Sequence, residues 1–242
     1  MKLDILAFGV HPDDVELGCA GTLMVALAEG KKVGIIDLTR GELGTRGTVE
    51  TRAQEAAAAA QIIGLTIREN LGMRDGFFVN DEAHQLMLIQ CIRKYRPEIV
   101  LCNALSDRHP DHARAAKLVA DSCFYAGLTK IKTRQDEREQ DAWRPKNVFH
   151  YTQDRLLKPD FLIDISAHFE RKLAAVKAYA TQFYNPEFAG PETYISSPAF
   201  LQSLIGRHQL WGKMIGVDYA EGFQSEKAIG IHSLDGLIHR VT

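Results

Sequence analysis

The sequence has few cysteines and no long hydrophobic run. Its four cysteines form no C-x-x-C pair, which suits reduced, buried thiols in a reducing compartment. The longest apolar runs, such as ILAFGV and EIVLC, fall far below the roughly 20 residues that a membrane-spanning helix needs. The start, MKLDILAFG, lacks the small-residue cleavage site of a signal peptide. These features predict a soluble, cytoplasmic protein.

The chain also lacks an excess of either charge. It contains 29 Lys and Arg residues against 31 Asp and Glu residues, a formal net charge of −2. No basic excess therefore favours nucleic acid or an anionic membrane as a partner. Neither a G-x-G-x-x-G nor a Walker sequence stands at a strand-to-helix turn, which argues against the usual phosphate-binding loops. A small, roughly neutral ligand fits this composition best.

Strand-like and helix-like segments alternate along the first half of the chain, a pattern typical of βαβ units around a mostly parallel sheet. We therefore expect a doubly wound α/β fold with helices on both faces. A length of 242 residues suits one large α/β domain. No linker interrupts the chain, so residues 1–242 are predicted to form a single domain. The predicted strands are LDILAFGV, KVGIIDLT, TIRENLGM, EIVLCNA, NVFHYT and FLIDIS.

The helical segments are bounded by glycine and proline. Gly30 and Gly64 are expected to close two of them, because glycine is the preferred residue just after a helix. A charged stretch, KIKTRQDEREQDAWRPK, is predicted to be solvated and to carry little secondary structure. The predicted helices are AGTLMVALAEG, VETRAQEAAAAAQIIG, EAHQLMLIQCIRKY, HPDHARAAKLVADSCFYAG, HFERKLAAVKAYATQF and AFLQSLIGRHQLWGKMIG.

Two similar tetrapeptides follow predicted strands. HPDD, residues 11–14, comes after the first strand, and HPDH, residues 109–112, comes after the fourth. Ligands of parallel-sheet proteins bind at the carboxyl ends of the strands, so the two loops are expected to lie side by side. Neutral imidazoles and a carboxylate are the ligands of zinc in hydrolytic sites, where one coordination position stays open. One of Asp13 and Asp14 is expected to bind the metal and the other to flank its water.

A single HPD tripeptide would be weak support for a metal. Proline at the first helical position and Asp in the first turn are ordinary features of a helix start. Two copies at one edge of the sheet, which together hold three of the nine histidines, favour a metal site instead.

At these residues the chain resembles the LmbE-like or PIG-L family of zinc-dependent deacetylases, whose signature is an amino-terminal HPDD and a later HPDH. The resemblance implies a Rossmann-like fold, a small N-acetyl sugar as substrate and a homo-oligomer, which is often a hexamer in similar proteins. It points to the bacterial branch that removes acetyl from N-acetylglucosaminyl malate on the route to bacillithiol. The stretches that carry it are HPDDVELGCAGTL, DLTRGELGTRGTVETRAQEA, RHPDHARAAKLV and YAEGFQSEKAI.

The resemblance also implies roles for residues of the two tetrapeptides. Asp13 is the expected general base. His109, kept cationic by Asp111, is expected to stabilise the oxyanion of the tetrahedral intermediate or to share the acid role. Iron(II) is an alternative to zinc at the same ligands. The implied ligands are His11, Asp14 and His112.

Four residues outside the tetrapeptides are further candidates. Tyr194 is expected to donate a hydrogen bond to the oxyanion, the alternative being an ordinary loop aromatic. Arg52 and Asp75 match positions that contact substrate in similar deacetylases, although a surface or turn role explains each nearly as well. Arg108 is a possible anion contact, but an ion pair with Asp107 or Asp111 is the alternative.

The leading hypothesis is therefore a deacetylase of N-acetylglucosaminyl malate. A chitooligosaccharide or a mercapturic-type conjugate is the alternative substrate. A metal phosphoesterase would often need two ions about 3.5–4 Å apart and a further cluster of ligands, which the sequence lacks. A non-catalytic, metal-stabilised binding protein would normally close its site with four protein ligands, whereas the tetrapeptides offer three ligands and a free carboxylate.

Overall fold

The computed structural model describes residues 1–237. Its main sheet has seven strands in the order β3-β2-β1-β4-β7-β9-β8. The pairs among β1, β2, β3, β4 and β7 are parallel, whereas β9 runs antiparallel to both β7 and β8. The expected mostly parallel α/β fold is confirmed. The strands are β1 (Ile5–Gly9), β2 (Val33–Thr39), β3 (Ile67–Met73), β4 (Ile99–Cys102), β7 (Asn147–Tyr151), β8 (Phe161–Asp164) and β9 (Ala220–Ser225), and β5 (Arg134–Gln135) and β6 (Arg138–Glu139) form a separate hairpin.

The helices cover both faces of the sheet. Successive side chains of β1 point to opposite faces, so Ala7 joins one buried cluster while Leu6 and Phe8 join the other. The first cluster includes Leu23 and the second includes Leu118. Burial on both sides explains why β1 reads as a continuous apolar run. The helices are α1 (Asp14–Gly18), α2 (Ala20–Ala28), α3 (Val49–Ile63), α4 (Glu82–Tyr95), α5 (Pro110–Ala126), α6 (Phe169–Lys177) and α7 (Pro198–Ile215).

Helix α3 shows how local sequence fixes an element beside the pocket. Thr48 caps its start, and the backbone N–H and side chain of Thr51 complete a reciprocal capping box. The small side chains of Ala56 and Ala59 lie in the core beneath the sheet. The helix ends at Gly64, whose left-handed φ of 84° suits glycine. The predicted helix and its terminal glycine are confirmed.

Helix α6 ends at Lys177, six residues before the predicted end at Phe183. Two further elements are absent from the sequence prediction. The segment of β9 was not predicted as a strand, because Glu221 and Gly222 interrupt its apolar pattern. In the structure Glu221 is fully buried and forms an ion pair with Lys172, so the polar residue is satisfied inside the core. Helix α1 was also missed because five residues give too short a pattern to recognise. The charged stretch carries only the β5–β6 hairpin, as expected.

All four cysteines are free and buried, as predicted. Burial raises the pKa of the Cys91 thiol to about 12, so this thiol stays protonated at neutral pH. Across residues 1–237, each helix is too short or too polar to cross a lipid bilayer.

Candidate active site

The two tetrapeptides meet at the carboxyl edge of the sheet. Strands β1 and β4 are direct neighbours, so the loops that follow them lie side by side. Nε2 of His112 lies 3.3 Å from Oδ1 of Asp14, and Nδ1 of His11 lies 3.6 Å from Oδ2 of the same carboxylate. The structure thus brings together the three residues expected to bind a metal.

Each of the two histidines is oriented by a second carboxylate. Nε2 of His11 lies 2.9 Å from Oδ1 of Asp75, and Nδ1 of His112 lies 2.6 Å from Oδ2 of Asp107. Contacts of this kind fix the tautomer and the ring orientation of metal-binding histidines. The remaining nitrogens, Nδ1 of His11 and Nε2 of His112, are those near Asp14. Asp75, which was expected to contact substrate, also contacts His11. Asp107 was not identified as a site residue from the sequence.

The Asp14 carboxylate is buried and accepts three hydrogen bonds. Oδ2 accepts from the backbone N–H of His11 and from Nδ2 of Asn103, both at 3.0 Å, and Oδ1 accepts from Nε2 of Gln153 at 2.6 Å. Burial would raise the pKa of Asp14. The positive charges and hydrogen bonds of His112 and His11 outweigh burial and hold this pKa well below its ordinary value. Asp14 is therefore an ionised oxygen donor at neutral pH.

The electrostatics of the cluster suit a cation. Burial lowers the pKa of His11, yet hydrogen bonds and charge from Asp14 and Asp75 raise it to about 10. The same balance, with Asp14 and Asp107 as partners, raises the pKa of His112 to about 9. Carboxylates therefore favour positive charge here, which a divalent ion provides when it replaces the protons. Two imidazole nitrogens and a carboxylate oxygen also match the donors that zinc and iron(II) accept.

Two other groups overlap this ligand set. Nitrogens of His11, His109 and His112 lie within 4.8 Å of one another, as do ligand atoms of His11, Asp75 and Asp111. Both groups share His11 with the first set, so neither forms a separate second centre.

Asp13 occupies a strained position beside the cluster. Its φ of 137° lies outside the region that non-glycine residues normally adopt. Its Oδ2 lies 3.3 Å from Nη1 of Arg52, which also donates to the carbonyl oxygen of Pro12 at 3.1 Å. Burial raises the pKa of Asp13 to about 7, although the charge of Arg52 opposes this rise. A carboxyl group with this pKa is suited to accept a proton near neutral pH.

His109 differs from its predicted arrangement. The Asp111 carboxylate accepts hydrogen bonds from the backbone N–H of Gly76 at 2.9 Å and from Nη1 of Arg114 at 2.7 Å. Asp111 instead meets His109 through its backbone N–H, which donates to Nδ1 at 3.3 Å. Burial and the charges of the two neighbouring histidines lower the pKa of His109. The expected side-chain pair of His109 and Asp111 is therefore absent, and an imidazole whose Nδ1 accepts this bond carries its proton on Nε2 when it is neutral.

Tyr194 and Arg108 lie together at the rim. The Arg108 guanidinium stacks over the Tyr194 ring, with Cζ at 4.4 Å from the ring centroid. Nε of Arg108 lies 3.2 Å from Oδ2 of Asp154. The alternative expectation for Arg108 was an ion pair with Asp107 or Asp111. The structure shows an ion pair, but with Asp154.

These residues surround one cavity of about 340 Å³. Asp111 is the one predicted site residue that does not line it. The predicted residues that do are His11, Asp13, Asp14, Arg52, Asp75, Arg108, His109, His112 and Tyr194.

Known proteins resemble this chain in sequence and in fold. The model of the PIG-L family, described as GlcNAc-PI de-N-acetylase, matches residues 6–123. A diacetylchitobiose deacetylase of Thermococcus kodakarensis is 30% identical over 94% of this chain and 85% of its own length. A probable N-acetyl-α-D-glucosaminyl L-malate deacetylase 2 of Bacillus anthracis is 23% identical over 72% of this chain and 78% of its own.

A solved structure extends the likeness to nearly the whole fold. The conserved protein TT1542 of Thermus thermophilus is 38% identical, with a TM-score of 0.84 over 95% of this chain and 98% of the other. The predicted family resemblance is confirmed by these matches. The chain belongs to the PIG-L family of metal-dependent N-deacetylases.

Proposed function

We propose that this protein removes the acetyl group from a small N-acetylglucosamine conjugate, with N-acetylglucosaminyl malate, a precursor of bacillithiol, as the first candidate substrate. One arrangement carries the proposal: His11, Asp14 and His112 converge in a cavity that Asp13 also lines. Such a site separates the metal ligands from a carboxylate that can move protons, and metal-assisted amide hydrolysis uses both.

His11, Asp14 and His112 would hold the ion, with Asp75 and Asp107 orienting the two imidazoles. Bound zinc supplies Lewis-acid polarisation of the amide carbonyl and lowers the pKa of water to about 7. Iron(II) is the alternative ion. Reconstitution of metal-free protein with each ion separately would identify the one that supports turnover.

The proton transfers are assigned to Asp13. Its carboxylate accepts the proton of the attacking water and passes it to the amine that leaves when the C–N bond breaks. Arg52 holds this carboxylate at the cavity wall. A positioned carboxylate of this kind contributes about 10²- to 10⁴-fold in rate.

Neutral donors are assigned to the developing oxyanion. The Nε2–H of His109 and the hydroxyl of Tyr194 belong to residues that line the same cavity as Asp13. A donor that is already in place when negative charge develops lowers the barrier without a cost of reorganisation. His109 therefore acts as a hydrogen-bond donor in this proposal and not as a cationic acid.

Arg108 is the candidate contact for an acidic aglycone. Arg108 is a half-exposed cation at the cavity, and a guanidinium recognises carboxylates well. The similarity to a diacetylchitobiose deacetylase, at 30% identity, supports a neutral disaccharide as the second candidate. The two substrates differ in charge, so a direct comparison separates them.

Acetate release by the zinc-loaded protein tests the proposal. N-acetylglucosaminyl malate, N,N′-diacetylchitobiose, free N-acetylglucosamine and a cysteinyl conjugate would be compared at equal concentration. A strong preference for the malate compound, lost in Arg108→Gln, supports the first candidate, and a preference for chitobiose supports the second. Inactivity on all four would reject the deacetylase assignment and favour a non-catalytic binding role.

A homo-oligomer remains part of the proposal, as do a cytoplasmic location and a chain that forms one domain. Light scattering coupled to gel filtration measures the assembly directly. A mass equal to one 27.0 kDa chain would contradict it.

A further inference from the structure

Tyr194 has little packing to hold its side chain in place. It lies in a short 3-10 turn, Tyr194–Ser196, at the end of an irregular segment that follows α6. Its side chain is 58% exposed, and its ring makes one edge contact with Phe200, at 5.6 Å between centroids. A donor to the oxyanion must be held close to its productive position. Contacts other than core packing therefore have to fix this phenol.

Asp154 supplies such a contact through Arg108. Its side chain is 17% exposed, and Oδ2 lies 3.2 Å from Nε of Arg108, whose guanidinium stacks on Tyr194. Burial and the negative charge of Asp154 raise the pKa of Tyr194. Asp154 thus holds the cation that stacks on the Tyr194 ring, and partial burial limits screening of these charges by water.

The backbone of Asp154 is tied to the floor of the site. Its N–H donates to Oδ1 of Asp107 at 3.2 Å, and its carbonyl oxygen accepts from Nη1 of Arg207 at 3.5 Å. The other oxygen of Asp107 contacts His112. The carboxylate that orients a candidate metal ligand therefore also positions the residue that holds the rim.

We propose that Asp154 is a positioning residue that holds Tyr194 and Arg108 together at the cavity, an inference that rests on the proposed deacetylase function. Asp154 does not line the main cavity. It faces a second cavity of about 290 Å³ on the other side of Tyr194, together with Leu156 and Leu210. Tyr194 thus lines both cavities, and Asp154, which lines the second, holds Arg108 against the Tyr194 ring.

Asp154→Asn tests the inference, because asparagine keeps the shape and removes the charge. Loss of the ion pair should let the Tyr194 hydroxyl and Arg108 leave their positions. We expect kcat to fall about 10- to 100-fold, the range for a misplaced catalytic group. The KM for neutral diacetylchitobiose should change little, since the hydroxyl acts on the oxyanion.

A double-mutant cycle with Tyr194→Phe distinguishes positioning from a general structural defect. If Asp154 acts through the hydroxyl, Asp154→Asn in the Tyr194→Phe background should change kcat less than about 3-fold. If the two substitutions acted independently, their fold-losses in kcat would multiply to within about 2-fold, and this result would overturn the inference. An unchanged kcat in the single Asp154→Asn variant would overturn it as well, as would loss of bound metal, since the defect would then arise at Asp107 and His112.

Asp121→Asn is the matched control. Asp121 is also a partly buried aspartate paired with a cation, Lys117, but it lies on α5 and does not line the cavity. Its substitution should leave kcat and KM unchanged. Proportional losses in both variants would show a general effect of removing an ion pair and would contradict the inference.

Limited proteolysis gives a readout that needs no enzymatic activity. Chymotrypsin cleaves after tyrosine, so release of Tyr194 in Asp154→Asn should speed cleavage between Tyr194 and Ile195, located by mass spectrometry. An unchanged rate would overturn the positioning role. Wild-type protein inactive on every N-acetyl sugar, with faster cleavage in Asp154→Asn, would instead reject the proposed function and retain the positioning role.

Discussion

The tripeptide His-Pro-Asp occurs twice at the cavity, and the two copies adopt different backbones. In the second copy, residues 109–111, His109 caps α5 and Pro110 stands at its first position, a regular helix start. In the first copy, residues 11–13, Asp13 has a φ of 137° and stands outside the helix. Asp13 therefore lines the cavity beside Arg52, whereas Asp111 turns to Gly76 and Arg114.

Backbone conformation, and not residue type, therefore gives the two aspartates different surroundings. A regular helix start gives Asp111 hydrogen-bond partners in the surrounding fold. The strained conformation of Asp13 leaves its carboxylate among charged groups in a buried wall. Strain of this kind is typical of functional positions.

The largest expected effect is that of Asp13→Asn. Removal of the base should lower kcat by about 10²- to 10⁴-fold while zinc content stays near that of the wild type. Asp111→Asn should retain most of the activity and lose about 1–3 kcal/mol of stability, because a buried acceptor is weakened. Acetate release, metal analysis and thermal unfolding of both variants measure the contrast. Equal losses of activity would remove the distinction between the two copies.

The second expected contrast concerns the histidines. His112→Ala should lose nearly all bound metal, because it removes one of three protein ligands. His109→Ala should keep the metal and lose activity, because His109 is assigned to the oxyanion. Metal content by mass spectrometry after dialysis separates the two variants. Metal loss in His109→Ala would favour the set His11, His109 and His112 instead.

A smaller effect is expected at the orienting carboxylates. Asp107→Asn and Asp75→Asn should each weaken metal binding about 10- to 100-fold, the usual consequence of changing a group that orients a ligand. Competition with a chromogenic chelator measures the affinity. Unchanged affinity in both variants would show that neither carboxylate orients its histidine.

The smallest effect is a shift in the pH profile. The pKa of Asp13 is about 7, because burial raises it and the charge of Arg52 partly opposes that rise. Asp13 accepts protons only when ionised, so Arg52→Gln should raise its pKa and move the acidic limb of kcat to higher pH. Arg114→Gln, the corresponding change beside Asp111, should leave that limb in place. A downward shift in Arg52→Gln would contradict the assignment of Asp13 as the base.

The sequence predicted the parts of the fold and site that depend on local pattern. Apolar runs identified the parallel strands, and placing HPDD and HPDH after two of them put His11 and His112 at one edge. The contact of Asp75 with His11 and that of Asp107 with His112 were not predicted, because side-chain partners depend on how loops fold back. His11 and Asp75 are 64 positions apart in the chain. Asp154 was overlooked for the same reason, since its partners Arg108 and Arg207 come from the loop before α5 and from helix α7.

Anomalous diffraction from zinc-loaded crystals would locate the ion relative to the two copies of the tripeptide. We expect one ion bound by Nδ1 of His11, a carboxylate oxygen of Asp14 and Nε2 of His112, with Asp13 unbound beside it. An ion coordinated by Asp13, or held by His109 in place of Asp14, would contradict the separation of ligands from base.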